Sequence, residues 1–485
     1  MIYLDRESSL SLTEQLVSQL AGLIQGGQLP PGSRLPSIRK QAAASGVSIA
    51  TVVAAYDRLV ARGLIESRAA SGYFICPRRT SPGRLPTPLS PRSEMDAVWL
   101  MRRMLSSDPA LAAVGSGYMP EHWLEDMLSS RVLARFARQG KACYASAGAV
   151  EGFAPLRQRI ALKLAMAGVP ASAENLLMTF GATQGIDLIC RGLLSPGDTV
   201  AVEEPGYFGL FAQLRAQGVK LVGIPRRDDG PDLAVLEEVC VAYRPRLLFT
   251  QTLMHNPTGG SSSPATVFGL LELARRHGLL LVEDDVFGDF HPAANPLRLA
   301  QVDAWQRVIY LGSFSKVLSP SIRVGFIAAA PELIEVFLEH KLLSVFTSSE
   351  LDERLVHELL TNGSFHKHVE RVRARLSHNR AQVVLGLARA GLEPALVGDG
   401  GLFVWARLPV EVDLDLLVED ALANGFLLVP GAPFFLRAPD ERWLRFNAAS
   451  ANDARLFDYL AARLGACCGL PAASRGAATA VDTPH

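Results

Sequence analysis

The stretch Ser313-Phe314-Ser315-Lys316-Val317-Leu318-Ser319-Pro320-Ser321-Ile322-Arg323-Val324-Gly325 decides how this chain is read. It follows the apolar run 308–311, a segment of the kind that fills a buried strand. A lysine lodged among serines just after such a strand, with an arginine seven residues on, is an odd structural choice. It makes chemical sense if Lys316 meets an aldehyde as a neutral amine and Arg323 meets a phosphate. Further pieces stand around it. Gly181-Ala182-Thr183-Gln184 follows the apolar segment 176–180 and precedes an amphipathic helix, so N–H groups at that helix start can cradle a phosphate beside the Thr183 hydroxyl. Pro205-Gly206-Tyr207 offers an aromatic face, Asn256-Pro257-Thr258-Gly259 an amide, and Val282-Glu283-Asp284-Asp285 ends a strand with carboxylates. Arg442-Trp443-Leu444-Arg445-Phe446-Asn447 supplies a guanidinium able to grip a carboxylate in a bidentate pair. Each piece alone has a bland reading: a turn string, a salt-bridged Asp284, a core Tyr207, a surface Arg445. Their joint order over some 270 residues is what makes a cofactor site the better explanation.

In that order the pieces resemble the aminotransferase class I pattern of pyridoxal 5'-phosphate (PLP) fold type I, over about residues 96–465. The resemblance implies an α/β body, a mostly parallel sheet with helices on both faces, and a smaller C-terminal subdomain. It implies that Lys316 forms an internal aldimine with PLP. It assigns Gly181, Ala182, Thr183, Ser313 and Arg323 to the cofactor, with Tyr207 stacked on the ring and Asn256 bonded to the ring 3-oxygen. Asp284 falls at the pyridine nitrogen, where an ionised carboxylate keeps the ring an electron sink. Arg445 falls where an amino acid's carboxylate is taken. Tyr144 resembles the tyrosine that reaches the neighbouring subunit's phosphate, a core tyrosine being the equal alternative. Tyr118, in Gly115-Ser116-Gly117-Tyr118, falls near the substrate entrance on the same terms. One departure matters. Three residues after Asp284 the family usually has a tyrosine, whose phenol gives the 3-oxygen a second hydrogen bond; here stands Phe287. Losing that donor points to slow or absent transamination.

The 485 residues are 49% hydrophobic, 20% charged and 7% aromatic, which excludes a mostly disordered or collagen-like chain and suits two or three domains. Buried-type runs at 221–224, 247–250, 279–282, 308–311 and 324–328, several separated by helical stretches such as 265–277, indicate α/β architecture. No run approaches the ~20 apolar residues of a membrane helix, and the first ten residues carry no apolar signal core. The six cysteines (76, 143, 190, 240, 467, 468) fall at no metal or redox spacing, so we expect reduced thiols and no metal.

Zero net charge hides an asymmetry. Residues 1–80 hold nine Lys/Arg against five Asp/Glu, a surplus of four that the rest of the chain balances. A basic end on an acidic body hints at nucleic acid. Residues 11–24 have a helical apolar period and 37–44 a short helix. Gly46 turns the chain, and Ser48 caps a helix to about Arg62. Two short strands, 64–67 and 73–76, flank a Ser71-Gly72 turn. That is a winged helix-turn-helix, residues 1–76. Its stretch PPGSRLPSIRKQAAASGVSIATVVAAYDRLVARGLIESRAASGYFI, residues 30–75, resembles the GntR-type DNA reader. The resemblance sets Arg34, Ser37, Arg39, Ser48 and Thr51 toward DNA, and lets Gly72 bring the wing close. Ile49 and Val53 stand where better-matching members carry arginine, so base readout is expected to be poorer. Val52, Tyr56, Leu59 and Leu64 are expected to form the small core. Residues 77–94 are Pro-rich and aperiodic, an expected linker; 95–468 form the body and 469–485 an expected disordered tail.

A GntR-type head, a Pro-rich linker and an aminotransferase-like body together resemble the MocR/GabR family of bacterial transcription regulators. The resemblance implies a cytoplasmic, nucleoid-associated, head-to-tail homodimer that binds a double-stranded operator and senses PLP or an amino compound. Two other readings stay open. One is a working aminotransferase with an accessory DNA-binding head. The other is a scaffold with a dead cofactor site, against which the retained Lys316, Asp284, Asn256 and Arg323 argue.

Overall fold

The computed structural model describes residues 4, 11–25, 29, 32–61, 64–68, 72–75, 97–105, 108, 110–128, 130–139, 147–293, 295–395, 400–409, 412–437 and 442–467. The expected linker, the expected tail and Tyr144 lie outside them. The chain divides into two compact units, Met1–Ser93 and Glu94–His485.

The first unit holds helices α1 (Leu12–Gln25), α2 (Ile38–Ser45) and α3 (Ile49–Ala61), then strands β1 (Ile65–Arg68) and β2 (Gly72–Ile75). Ser37 caps α2 by accepting from Lys40 N–H, and Gly46 ends it at φ +64, a conformation that suits glycine. Leu16, Leu20, Val52, Tyr56, Leu59, Ile65 and Ile75 are buried together, and Leu64 packs against them. The Tyr56 hydroxyl donates to Pro36 C=O at 2.9 Å, which ties α3 to the entry of α2. Both strands sit one residue from their expected places. Pairing sets that register: Ile65 opposes Ile75, which places the two apolar side chains on the core side.

The second unit is built on β3 (Leu176–Thr179), β4 (Thr199–Glu204), β5 (Lys220–Arg227), β6 (Gly230–Pro231), β7 (Leu247–Thr250), β8 (Leu280–Asp284), β9 (Val308–Ser313) and β10 (Gly325–Ala328). They form one sheet in the order β3-β10-β9-β8-β7-β4-β5-β6. Strands β9, β8, β7, β4 and β5 run parallel. β10 runs antiparallel to both its neighbours, and β6 closes the far edge antiparallel. The central strands β7, β8 and β9 are buried along nearly their whole length, which is why they read as unbroken apolar runs. Local signals set the helices. Helix Pro264–His277, for instance, opens with Ser263 accepting from Thr266 N–H at 3.1 Å and stops at Gly278, φ +70.

A smaller antiparallel sheet follows: β11 (Glu393–Pro394), β12 (Phe403–Arg407), β13 (Val429–Pro430) and β14 (Trp443–Asn447), in the order β11-β12-β14-β13. The 26-residue helix Ser364–Arg389 joins the two parts of this unit. Its Val369, Val372 and Leu376 lie in the main core, and Val383 and Leu387 lie in the core of the smaller sheet.

Candidate cofactor and DNA-binding sites

Ligands of open parallel sheets sit beyond the carboxyl ends of the strands. Asp284 is the last residue of β8 and Ser313 the last of β9; Gln251 directly follows β7, and Tyr207 begins the helix after β4. The turn after β9 brings Lys316 back over the sheet. Its Nζ donates to Gly117 C=O at 3.2 Å and lies 3.9 Å from the Tyr118 ring centroid. Burial, with Arg445 and Arg323 adding repulsion, brings the Lys316 amine down to about 7, against the pull of Asp284. That is a lysine able to be neutral at neutral pH.

Burial pushes the Asp284 carboxyl up to about 6, against the stabilising N–H groups of Gln251 and Val286. Its Oδ2 accepts from Gln251 Nε2 at 2.8 Å, while its buried Oδ1 has no hydrogen-bond partner. Asn256 is buried, and its Oδ1 accepts from Arg445 Nη1 at 2.7 Å, which commits the amide orientation and leaves Nδ2 as the outward donor. Arg445 is 2% exposed, in the middle of β14. Its other nitrogens donate to Gly115 C=O at 3.2 and 2.8 Å, and the rings of Phe403 and Phe434 flank it at 4.5 and 4.9 Å. Burial lowers it to about 9, so it stays charged at neutral pH. The solvated-charge reading of Arg445 is thereby excluded.

Arg323 donates to Ser315 Oγ at 2.9 Å and to Phe180 C=O at 3.2 Å, at the start of helix Gly181–Leu193. Gly181 has φ +73, and a Cβ there would lie 2.9 Å from Arg323 Nη2, so only glycine lets the guanidinium approach. No side chain caps this helix, so its first N–H groups, with Ala182 and the exposed Thr183, remain available to an anion. Ser313 accepts from Ser315 N–H at 3.2 Å. Tyr207 is pushed up to about 12, chiefly by burial and then by Tyr118, so it stays a neutral phenol. Phe287 is buried edge-on against Phe403, ring centroids 5.2 Å apart, and its ring centre is 5.9 Å from Lys316 Nζ.

Sequence reading missed the floor beneath these groups. Glu203, on β4, is held by Arg226, by the Thr250 hydroxyl and by His255 Nε2 at 3.0 Å. Burial opposes this carboxylate, and Arg226 and His255 outweigh burial, so it lies well below the ordinary range. Burial, then Arg226, keeps His255 neutral. No spacing signalled this trio, because its members come from three different strand ends. A small cavity of about 20 Å³ is lined by Glu203, His255 and Asp284, together with Tyr207 and Gln251. The orphaned Asp284 oxygen, the lowered Lys316 amine, the free Asn256 donor and the Arg323 cradle fit PLP. Among the described residues there is no His/Cys/Asp/Glu cluster suited to a metal, and no single helix is long and apolar enough to cross a membrane.

In the first unit Arg34, Ser37, Arg39 and Ser48 are exposed and Thr51 is half-buried. Arg34 bridges to Phe74, and its guanidinium overlies Gly72, where a Cβ would come within 3.4 Å of Nε and Nη2. Ser48 Oγ accepts from Thr51 N–H at 3.1 Å, which caps α3, and shares a hydrogen bond with the Thr51 hydroxyl at 2.8 Å. Ile49 is 54% exposed at the first turn of α3.

Residues 118–464 match the family described as aminotransferase class I and II, and residues 12–75 match the bacterial regulatory proteins of the gntR family. The chain is 30% identical over 445 residues to the HTH-type transcriptional regulator YdcR of Escherichia coli, covering 90% of this chain and 94% of that one. It is 31% identical over 455 residues to the probable rhizopine catabolism regulatory protein MocR of Rhizobium meliloti, covering 91% of each. Among solved structures, it resembles LysN, the α-aminoadipate aminotransferase of Thermus thermophilus complexed with N-(5'-phosphopyridoxyl)-L-leucine. That match has a TM-score of 0.70 at 31% identity, over 77% of this chain and 96% of LysN.

Proposed function

This chain belongs to the MocR-type regulators, a gntR-family DNA reader fused to an aminotransferase class I and II body, and we propose that the body serves as a sensor for the reader. The cofactor is pyridoxal 5'-phosphate. When bound it supplies an aldehyde for an amine and an electron-withdrawing ring. The chain's own residues do the rest. Arg323 and the N–H groups at the start of helix Gly181–Leu193 hold the phosphate. Lys316 offers a neutral amine because burial and two guanidinium groups oppose its proton. Asp284 Oδ1 would hold the ring nitrogen, and Asn256 Nδ2 would serve the ring 3-oxygen. Arg445 takes an incoming carboxylate, exchanging its hold on Gly115 C=O for a bidentate pair. The effector is therefore PLP itself or an amino compound, amino acids included. The acting form is a head-to-tail homodimer on a double-stranded operator in the bacterial cytoplasm, with Arg34 and Arg39 on phosphates or base edges.

The observation that carries the sensor reading is Phe287. A phenyl ring packed against Phe403 stands where the aminotransferase pattern has a phenol, so Asn256 acts on the 3-oxygen without that second donor. The test is a gel shift of the full chain on its own upstream DNA, with and without PLP and a panel of amino acids. Specific, salt-sensitive binding that responds to one of them supports the proposal. Binding indifferent to all of them, with efficient transamination, favours the working aminotransferase. That second reading has the intact Lys316, Asp284 and Arg445 on its side, and a 33% identical relative named 2-aminoadipate transaminase over 72% of the chain.

A further inference from the structure

We infer that Gln251 is a positioning residue for the cofactor ring: its side-chain amide selects which oxygen of Asp284 meets the pyridine nitrogen. The inference rests on the pyridoxal phosphate reading of the site. Gln251 is 7% exposed and sits between two groups with opposite needs. The backbone N–H of Asn256 needs an acceptor and finds Gln251 Oε1 at 2.8 Å. The Asp284 carboxylate needs a donor and finds Gln251 Nε2 at 2.8 Å. Flipping the amide would set N–H against N–H and carbonyl against carboxylate, so the network determines its orientation. Oδ2 of Asp284 is thereby occupied, and Oδ1 is left as the buried acceptor without a partner.

Gln251 is itself anchored. Its N–H donates to Glu203 Oε1 at 3.2 Å, and its C=O accepts from Arg226 Nη1 at 3.2 Å. The Glu203–Arg226–His255 trio thus fixes the backbone from which the amide reaches. Removing the amide donor leaves burial less opposed at Asp284, which then takes a proton more readily. A protonated Asp284 no longer holds a positive charge at the ring nitrogen.

The test uses the full-length protein as wild type, Gln251→Met and Gln251→Leu; the straight-chain methionine guards against a packing defect. Each is titrated with PLP and with 1-deaza-PLP, in which carbon replaces the ring nitrogen. We expect both variants to bind PLP about ten-fold more weakly, the loss set by a hydrogen bond to a charged group. We expect 1-deaza-PLP affinity to change less than about two-fold, since it makes no hydrogen bond to Asp284. The pKa of the lysine-linked visible band should rise in the variants with PLP. Equal weakening for both cofactors marks a structural role and overturns the proposal, as does unchanged PLP affinity with an unmoved band. If wild type itself takes up no PLP, the cofactor reading falls and carries this proposal with it.

Discussion

Lys316 must be neutral to react, yet it is a lysine, and the fold resolves this by burying it beside two guanidinium groups. In the cofactor-free protein its folded value is about 7 against an ordinary 10.5. Between those values the unfolded chain binds a proton that the folded chain does not, so the Lys316 contribution to stability rises with pH across that window and is flat below it. Thermal melts should show it as a difference: wild type gains on Lys316→Met as pH climbs from 7 toward 10. A pH-independent difference would mean that the amine is not depressed. Phe287 carries the second prediction at this scale. Phe287→Tyr returns a phenol to the site, and a donor to the ring 3-oxygen favours its ionised form. The visible band should then titrate at lower pH and transamination should rise, both read by absorbance. The residues on which these arguments turn were legible in the sequence because a strand end fixes where each one points. Gln251 and the Glu203–Arg226–His255 trio were not, because their partnership exists only across strands.

At the scale of elements, the approach of Arg323 to helix Gly181–Leu193 is a close joint of the site. Gly181→Ala places a Cβ 2.9 Å from the guanidinium at a φ of +73. We expect a stability loss of about 1–2 kcal/mol and clearly weaker PLP retention, checked by denaturant midpoint and cofactor titration. Unchanged retention would mean that Arg323 gives way freely. Several strands of the main sheet were legible as apolar runs, β4 and β6 were not, and the largely parallel order was read without its antiparallel member β10. Residues 324–328 read like their parallel neighbours because a strand buried on both faces shows the same apolar run either way; β10 is antiparallel. The smaller sheet was legible only through resemblance. Two of its strands are two residues long, too short to show a period; in β14 Leu444 and Phe446 pack toward helix Ser364–Arg389, while Arg445, on the opposite face, is buried among Phe208, Phe403 and Phe434.

For the whole molecule the question is what a reader gains from an aminotransferase body. The 77–94 segment is rich in proline, the composition of a linker. In the proposed homodimer, what would carry a signal is the form of the body, and with it the spacing of two readers on two half-sites. The trigger is chemical and local. On the proposed reading, an amine ligand would free Lys316, and its carboxylate would compete with Gly115 C=O and Asn256 for Arg445, on the sheet that carries β14. Phe287, with no phenol, favours halting there over completing the transfer. The prediction joins two measurements on one sample. DNA affinity or bend should shift when PLP or one amino compound is added, while steady-state transamination stays far below the ~10 s⁻¹ of a typical enzyme. A body that turns over near that rate, beneath a reader that ignores every amine and PLP, would make the chain an enzyme carrying a DNA-binding domain.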